Sequence, residues 1–208
     1  MQNQPPDMPP IDIEGDYYST LPEEIQPPKK PWILRFIIEA VETVVLAVVL
    51  FLIINTVSAR IRVDGHSMEP TFHHGNFVIV NKLAYRFGEF HHGDVIVFPS
   101  PNSNGEDLIK RVIGLPGDRI RIADGQIYLN DVLLFESYIN GSPSGDGREV
   151  TVPDGSVYVM GDNRNNSSDS RAWGPLDIED VLGKAVFVYW PFPDFGLVEQ
   201  FEFVFDNP

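Results

Sequence analysis

Hydrophobic and polar positions divide the chain into three patterns. From Met1 to Pro31 there is no apolar periodicity. Pro5, Pro6, Pro9, Pro10, Pro22, Pro27, Pro28 and Pro31 punctuate a polar, acidic stretch. Such a composition buries too little apolar surface to order itself, so residues 1–31 are expected to form a disordered tail. The second pattern is IIEAVETVVLAVVLFLIINTVSA, in which Thr43 to Ala59 carry no charge. At ~1.5 Å rise per residue this run lies at the short end of what crosses a bilayer. Residues 32–60 are therefore predicted to be one transmembrane helix, with Arg35 and Glu39 a turn apart and able to pair at headgroup level.

A cleaved secretory signal is the competing reading, because Val57, Ser58 and Ala59 have the small-residue look of a cleavage site. The apolar run is longer than the ~7 to 15 residues of such a segment, and about thirty residues precede it, which favours a retained anchor. Lys29, Lys30 and Arg35 stand before the run, against Arg60 and Arg62 after it. That asymmetry votes for a single-pass protein of the cell membrane with a cytoplasmic N-terminus, leaving residues 61–208 outside the cytoplasm.

The third pattern fills Ile61 to Pro208. Short β-branched or aromatic runs alternate with Gly, Asn and Asp, and no long 3.6-residue period occurs, so the region is predicted to be all-β. The expected strands are Phe77 to Asn81, Asp94 to Phe98, Leu108 to Gly114, Ile120 to Ala123, Gln126 to Leu129, Ser156 to Met160 and Lys184 to Tyr189. Asp124-Gly125 and Asn130-Asp131 are two-residue turn signals, so Ile120 to Leu134 reads as a three-stranded meander within a small subregion at about 119–155.

Composition narrows the chemistry. Fifteen Lys and Arg against thirty Asp and Glu give a formal charge of -15, which argues against nucleic acid as a partner. The absence of Cys removes disulfides, zinc–thiolate sites and a cysteine nucleophile. The five histidines, His66, His73, His74, His91 and His92, cluster along the chain. Without an HExxH helix, and with Gly75 and Gly93 beside the His pairs, exposed turn histidines are favoured over a metal site. His66 is a poor base for Ser67, because adjacent residues on an extended chain point to opposite faces.

Three segments carry candidate chemistry. In VDGHSMEPTF, Ser67 follows a glycine turn, although a lone serine there is more often a turn residue bonding its own backbone. In DLIKRVIGLPGD two basic residues interrupt an apolar strand, and Lys110 shares a face with Leu108 and Val112. Either it is a snorkelling edge lysine, or burial lowers its pKa. A shift from ~10.4 to ~8 raises the neutral fraction near pH 7.4 from about one in a thousand to roughly a fifth. A neutral amine can deprotonate a serine hydroxyl, which makes Ser67 and Lys110 candidates for a nucleophile and its base. The third segment, MGDNRNNSSDSRAWG, supplies a hydroxyl to orient the amine and an Asp–Arg pair to brace the loop. An aromatic group, Tyr189, Trp190, Phe192 and Phe195, reads equally as core or as a bilayer-facing surface.

Together these segments resemble the type I signal peptidases, membrane-anchored leader peptidases with a Ser/Lys dyad. GHSMEPTF is similar to the family's nucleophile box, GDVIVF to its next strand, LIKRVIGLPGD to its lysine box and MGDNRNNSSDSRAWG to its last box. The resemblance implies an antiparallel β-sheet or barrel catalytic domain behind one N-terminal helix. It also implies Ser67 as nucleophile, Lys110 as general base and Ser167 hydrogen-bonded to Lys110. Asp169 and Arg171 would hold the loop, with Gly161 in support. Asn165 stands where many members have aspartate, and Gly65 where some place a hydroxyl-bearing oxyanion donor. The implied oxyanion hole is thus made of the backbone N–H groups of Ser67 and Gly65. The implied activity is removal of signal peptides from exported preproteins after small residues of the Ala-X-Ala type. No metal or organic cofactor is implied, and no obligate protein partner is evident beyond substrate and lipid bilayer.

Overall fold

Helix α1 (Trp32–Val57) starts at Pro31, whose carbonyl accepts the N–H groups of Leu34 and Arg35. The computed structural model describes residues 31–102, 105–145, 147–199, 201 and 203–205, so the expected tail lies outside the described residues apart from Pro31. Thr43 and Thr56 within the helix, and Ser58 just past it, each donate to the carbonyl four residues back at 2.8 Å. Their hydroxyls are thereby satisfied without water, as a hydrocarbon environment requires. The helix has 26 residues. At ~1.5 Å each they extend ~39 Å, more than the ~30 Å of a bilayer core. It is the one helix among the described residues long and apolar enough to cross a membrane. Arg35 and Glu39 are both exposed and make no ion pair among the described residues.

The helix stops at Val57 rather than at Arg60. Ser58–Arg62 forms strand β1, because its backbone pairs with β2 (Phe77–Asn81) along its whole length. There follow α2 (Ala84–Phe87), β3 (Val95–Pro99), β4 (Asp107–Gly114), β5 (Arg119–Ala123), β6 (Gln126–Leu129), β7 (Val132–Phe135) and β8 (Arg148–Thr151). The chain continues through β9 (Ser156–Met160), α3 (Ser170–Trp173), β10 (Leu176–Asp177), β11 (Gly183–Trp190), β12 (Gly196–Leu197) and β13 (Val204–Phe205). All paired strands are antiparallel. The larger sheet has the order β1-β2-β11-β3-β4-β9-β10, with β12 on β11, and the smaller one β13-β7-β6-β5-β8. The all-β expectation holds, and each predicted strand is present within a residue or so of its expected ends.

The smaller sheet is wider than a three-stranded meander. Its two hairpins turn where expected, with Asp124, Gly125, Asn130 and Asp131 all at positive φ, the geometry a tight two-residue turn requires. Two further strands join them: β8 pairs with β5, and β13 arrives from the C-terminus to pair with β7.

The larger sheet is covered on both faces near its centre, which is why β3 reads as a continuous apolar run rather than an alternating one. Val95 and Val97 pack with Val63, Met68, Phe72, Val78 and Ile109, while Ile96 and Phe98 pack with Val112, Val157 and Val159 on the other side. A third cluster, including Ile113, Ile120, Ile127, Leu129 and Tyr158, joins β4 and β9 to the smaller sheet. Of the aromatic group near the C-terminus, Trp190, Phe192 and Phe195 are at least half exposed.

Candidate active site

Ser67 sits in the turn-rich segment after β1, half-buried between two anchors. Met68 and Phe72 are sunk into the core, and the N–H of Phe72 donates to the Met68 carbonyl, so the segment is pinned just past the serine. Gly65 has φ +111°, a conformation that favours glycine and lets the chain turn into Ser67. From the far side the loop after β9 holds the serine backbone. The Asn163 N–H donates to the Ser67 carbonyl at 3.0 Å, and Asn163 Nδ2 donates to the His66 carbonyl at 3.0 Å.

That contact depends on Gly161. A methyl group there would lie 2.4 Å from the Ser67 carbonyl oxygen and 2.3 Å from Ser167 Oγ, so the two segments approach this closely only because position 161 has no side chain.

Lys110 comes from β4, on the face it shares with Leu108 and Val112 and directly opposite Ile96 of β3. It is 2% exposed. Its Nζ lies 2.8 Å from Ser67 Oγ and donates to its neighbour's carbonyl, Ile109, at 2.9 Å. Burial pushes this amine down from 10.5 to about 8, with the charges of Asp169 and Asp162 pulling weakly the other way. No carboxylate bonds it directly, so the desolvation penalty prevails.

Asp169 is fully buried and is held by Arg171, whose Nε and Nη2 each donate at 2.8 Å, and by the Gly161 N–H at 3.0 Å. Burial alone would raise its carboxyl, but the Arg171 bonds and charge and the Gly161 N–H outweigh that and hold it below the ordinary carboxylate range. Its Oδ1 also accepts the Arg171 N–H at the start of α3. Ser170 Oγ accepts the Val159 N–H, fixing the loop to β9.

A second network stands behind the first. Arg111, next to Lys110 on β4, is completely buried and donates twice to Asp162, from Nε at 2.9 Å and Nη2 at 2.7 Å. Nη1 donates to the Gly93 carbonyl at 2.8 Å, and Thr71 Oγ1 donates to Asp162 Oδ2 at 2.6 Å. Burial disfavours the Arg111 charge, but the bonds and charge of Asp162 more than offset it. Arg164 donates from Nε to the Gly161 carbonyl at 3.0 Å and makes two bonds of 2.5 Å to Glu136, tying the loop to the chain beyond β7.

The structure therefore brings Ser67, Lys110, Gly161, Asp169 and Arg171 together, and it departs from expectation in two places. Ser167 does not hydrogen-bond Lys110: the lysine bonds Ser67 and the Ile109 carbonyl instead, and the Ser167 hydroxyl is buried on the Asp169 side of the loop. The Gly65 N–H is not free to serve an oxyanion, because it donates to His74 Nδ1 at 3.1 Å. The Ser67 N–H makes no hydrogen bond within the described residues and is the remaining backbone donor. Each histidine lies beside a carboxylate, with His66 on Glu69 and His92 on Asp118 at 2.7 Å each, and no group of three ligands for a metal occurs among the described residues.

Sequence reasoning passed over Arg111, Asp162, Thr71 and Asn163. The available signal was a second cation beside Lys110 in an apolar strand, which needs a buried carboxylate as much as the lysine needs none.

Comparison with known proteins gives the family of the chain. The family described as signal peptidase, peptidase S26, matches residues 37–190. A probable signal peptidase I-2 of Synechocystis sp. is 39% identical over 178 residues, 83% of this chain and 79% of the relative. Signal peptidase I S of Bacillus subtilis is 39% identical over 76% of this chain and 91% of its own length. The crystal structure of a signal peptidase I from Enterococcus faecalis aligns with 46% of this chain and 96% of that one, at 33% identity and a TM-score of 0.39. With a family match over most of its length and relatives of this similarity, the chain belongs to the signal peptidase family, peptidase S26.

Proposed function

We propose that this chain works as a signal peptidase I, a serine endopeptidase that removes N-terminal signal peptides from exported preproteins, with Ser67 as nucleophile and Lys110 as general base. The observation that carries the assignment of residues is the 2.8 Å approach of a buried amine, titrating near 8, to a serine hydroxyl. In its neutral form Lys110 takes the Ser67 proton as Oγ attacks the scissile carbonyl carbon. The Ser67 N–H stabilises the oxyanion that forms. Collapse breaks the peptide C–N bond, and the Lys110 ammonium returns its proton to the leaving amine. The lysine, neutral again, takes a proton from the water that attacks the acyl carbon; the C–Oγ bond then breaks and Lys110 returns that proton to Ser67 Oγ. The substrate binds as an extended strand and is cut after small residues of the Ala-X-Ala type.

Asp169, Arg171 and Gly161 do not touch the reacting atoms. They hold the loop that grips the Ser67 backbone. The N-terminal apolar helix is compatible with a membrane anchor, and the charge asymmetry around it supports a cytoplasmic N-terminus with the β-region outside. A reporter fused before Met1 should stay protected from external protease in intact cells, while digestion from outside would reverse the orientation. For the dyad, cleavage of a preprotein in detergent should fall by about 1,000-fold or more in Ser67→Ala and in Lys110→Ala. Wild-type turnover in either variant would overturn the assignment.

A further inference from the structure

Arg111 links four separate parts of the chain: β4 beside the base, Thr71 four residues after the nucleophile, Asp162 next to the residue that grips Ser67, and the Gly93 turn before β3. The position of its guanidinium therefore sets how β4 sits against the nucleophile segment. Hydrogen bonds fill its edge. Its face is covered by two rings, Tyr138 at 4.3 Å and Phe201 at 5.1 Å, which themselves lie 4.6 Å apart at 31°. The family match ends at Trp190, so Phe201 lies beyond it.

We propose, resting on the dyad assignment above, that Phe201 is a positioning residue which, together with Tyr138, holds Arg111 and through it the alignment of Lys110 with Ser67. The placement of Phe201 is secured on both sides in the sequence. Before it, β12 pairs with β11 and the Val198 N–H donates to the Val186 carbonyl. After it, Phe203 stacks on His92 at 5.6 Å and β13 pairs with β7. At Phe201 itself the backbone rests on Gly93: a methyl at position 93 would lie 2.2 Å from the Phe201 carbonyl oxygen. The same Gly93 gives its own carbonyl to Arg111. The C-terminal segment and the guanidinium are thus seated on one residue, from two directions.

An aromatic face attracts a buried guanidinium, and an aliphatic side chain of similar bulk does not. Replacing the ring should let Arg111 shift, and a misplacement of about 1 Å between reacting groups can cost about 100-fold in rate. Phe201 also lines a cavity of about 520 Å³ with Thr71, Phe72, Tyr138 and Val198, which leaves room for a larger ring.

The test uses the full chain in detergent, a preprotein substrate, and the variants Phe201→Leu and Phe201→Trp, with the folded fraction checked by near-UV circular dichroism. Phe201→Leu should lower kcat about tenfold while KM stays within about twofold, and Phe201→Trp should keep more than about half of wild-type kcat. Should Phe201→Leu fold poorly, the pair Tyr138→Leu and Tyr138→Phe reads the same contact from the other ring, with loss expected only in the leucine variant. Wild-type kcat in the folded leucine variants, equal losses in Phe201→Leu and Phe201→Trp, or an effect confined to KM would overturn the proposal. If Ser67→Ala or Lys110→Ala retained turnover in the same assay, the dyad assignment itself would fail, a result distinct from any of these.

Discussion

Lys110 and Arg111 are neighbours on one strand, both cationic in ordinary water and both nearly or fully buried, yet the fold treats them in opposite ways. Arg111 meets a carboxylate in bidentate geometry, two further acceptors and two aromatic faces, so it stays charged. Lys110 meets a hydroxyl and one carbonyl, and burial brings it down to about 8. Burial is common to both. What separates a brace from a base is whether a carboxylate is within bonding distance.

The largest effect should come from making the two positions alike. Lys110→Arg places a permanent cation beside Ser67, and kcat/KM should fall by about 1,000-fold or more at every pH. In the wild type, kcat/KM for preprotein cleavage should climb about tenfold per pH unit and level off near 8, as the amine loses its proton. A wild-type profile flat from pH 6 to 9 would break the comparison. Next in size is Asp162→Asn, which strips Arg111 of its counter-charge. A buried unpaired cation should cost about 3–5 kcal/mol of stability in denaturant unfolding. A smaller change would mean that the carbonyl and the rings suffice.

The smallest effect has the opposite sign. The folded pKa of Lys110, about 8, lies below the 10.5 of an exposed lysine, so between those values the unfolded chain binds more protons and stability rises with pH. Below pH 8 the full penalty applies, about 3 kcal/mol. Lys110→Met should therefore be inactive yet more stable by up to about 3 kcal/mol at pH 7, the gain shrinking between pH 8 and 10.5. A loss of stability at pH 7 would show that the Ile109 and Ser67 contacts outweigh the burial.

Much of the fold is legible in the amino-acid sequence. Strands rich in Val, Ile and Phe between Gly, Asn and Asp turns carry their own signal, and β2, β6 and β9 have the ends that their residues suggest. Strand β1 was hidden because Ser58–Arg62 follows the apolar run with no turn residue between them, and only pairing with β2 ends the helix. Strand β8, with the polar sequence REVT, is a strand by virtue of its partner β5 rather than its side chains. At the site, Ser67 and Lys110 could be singled out by type and by resemblance. The Gly65–His74 bond could not, since nothing in the local pattern says where a ring nine residues away will turn. The same is true of Ser167, whose orientation follows from how closely its loop crosses Gly161.

Position 161 leaves the nucleophile with a neighbour defined by what it lacks. Any replacement, alanine included, would drive a wedge between the loop after β9 and the serine carbonyl, so the mildest substitution in the genetic repertoire would act there as a disruption of the reaction centre.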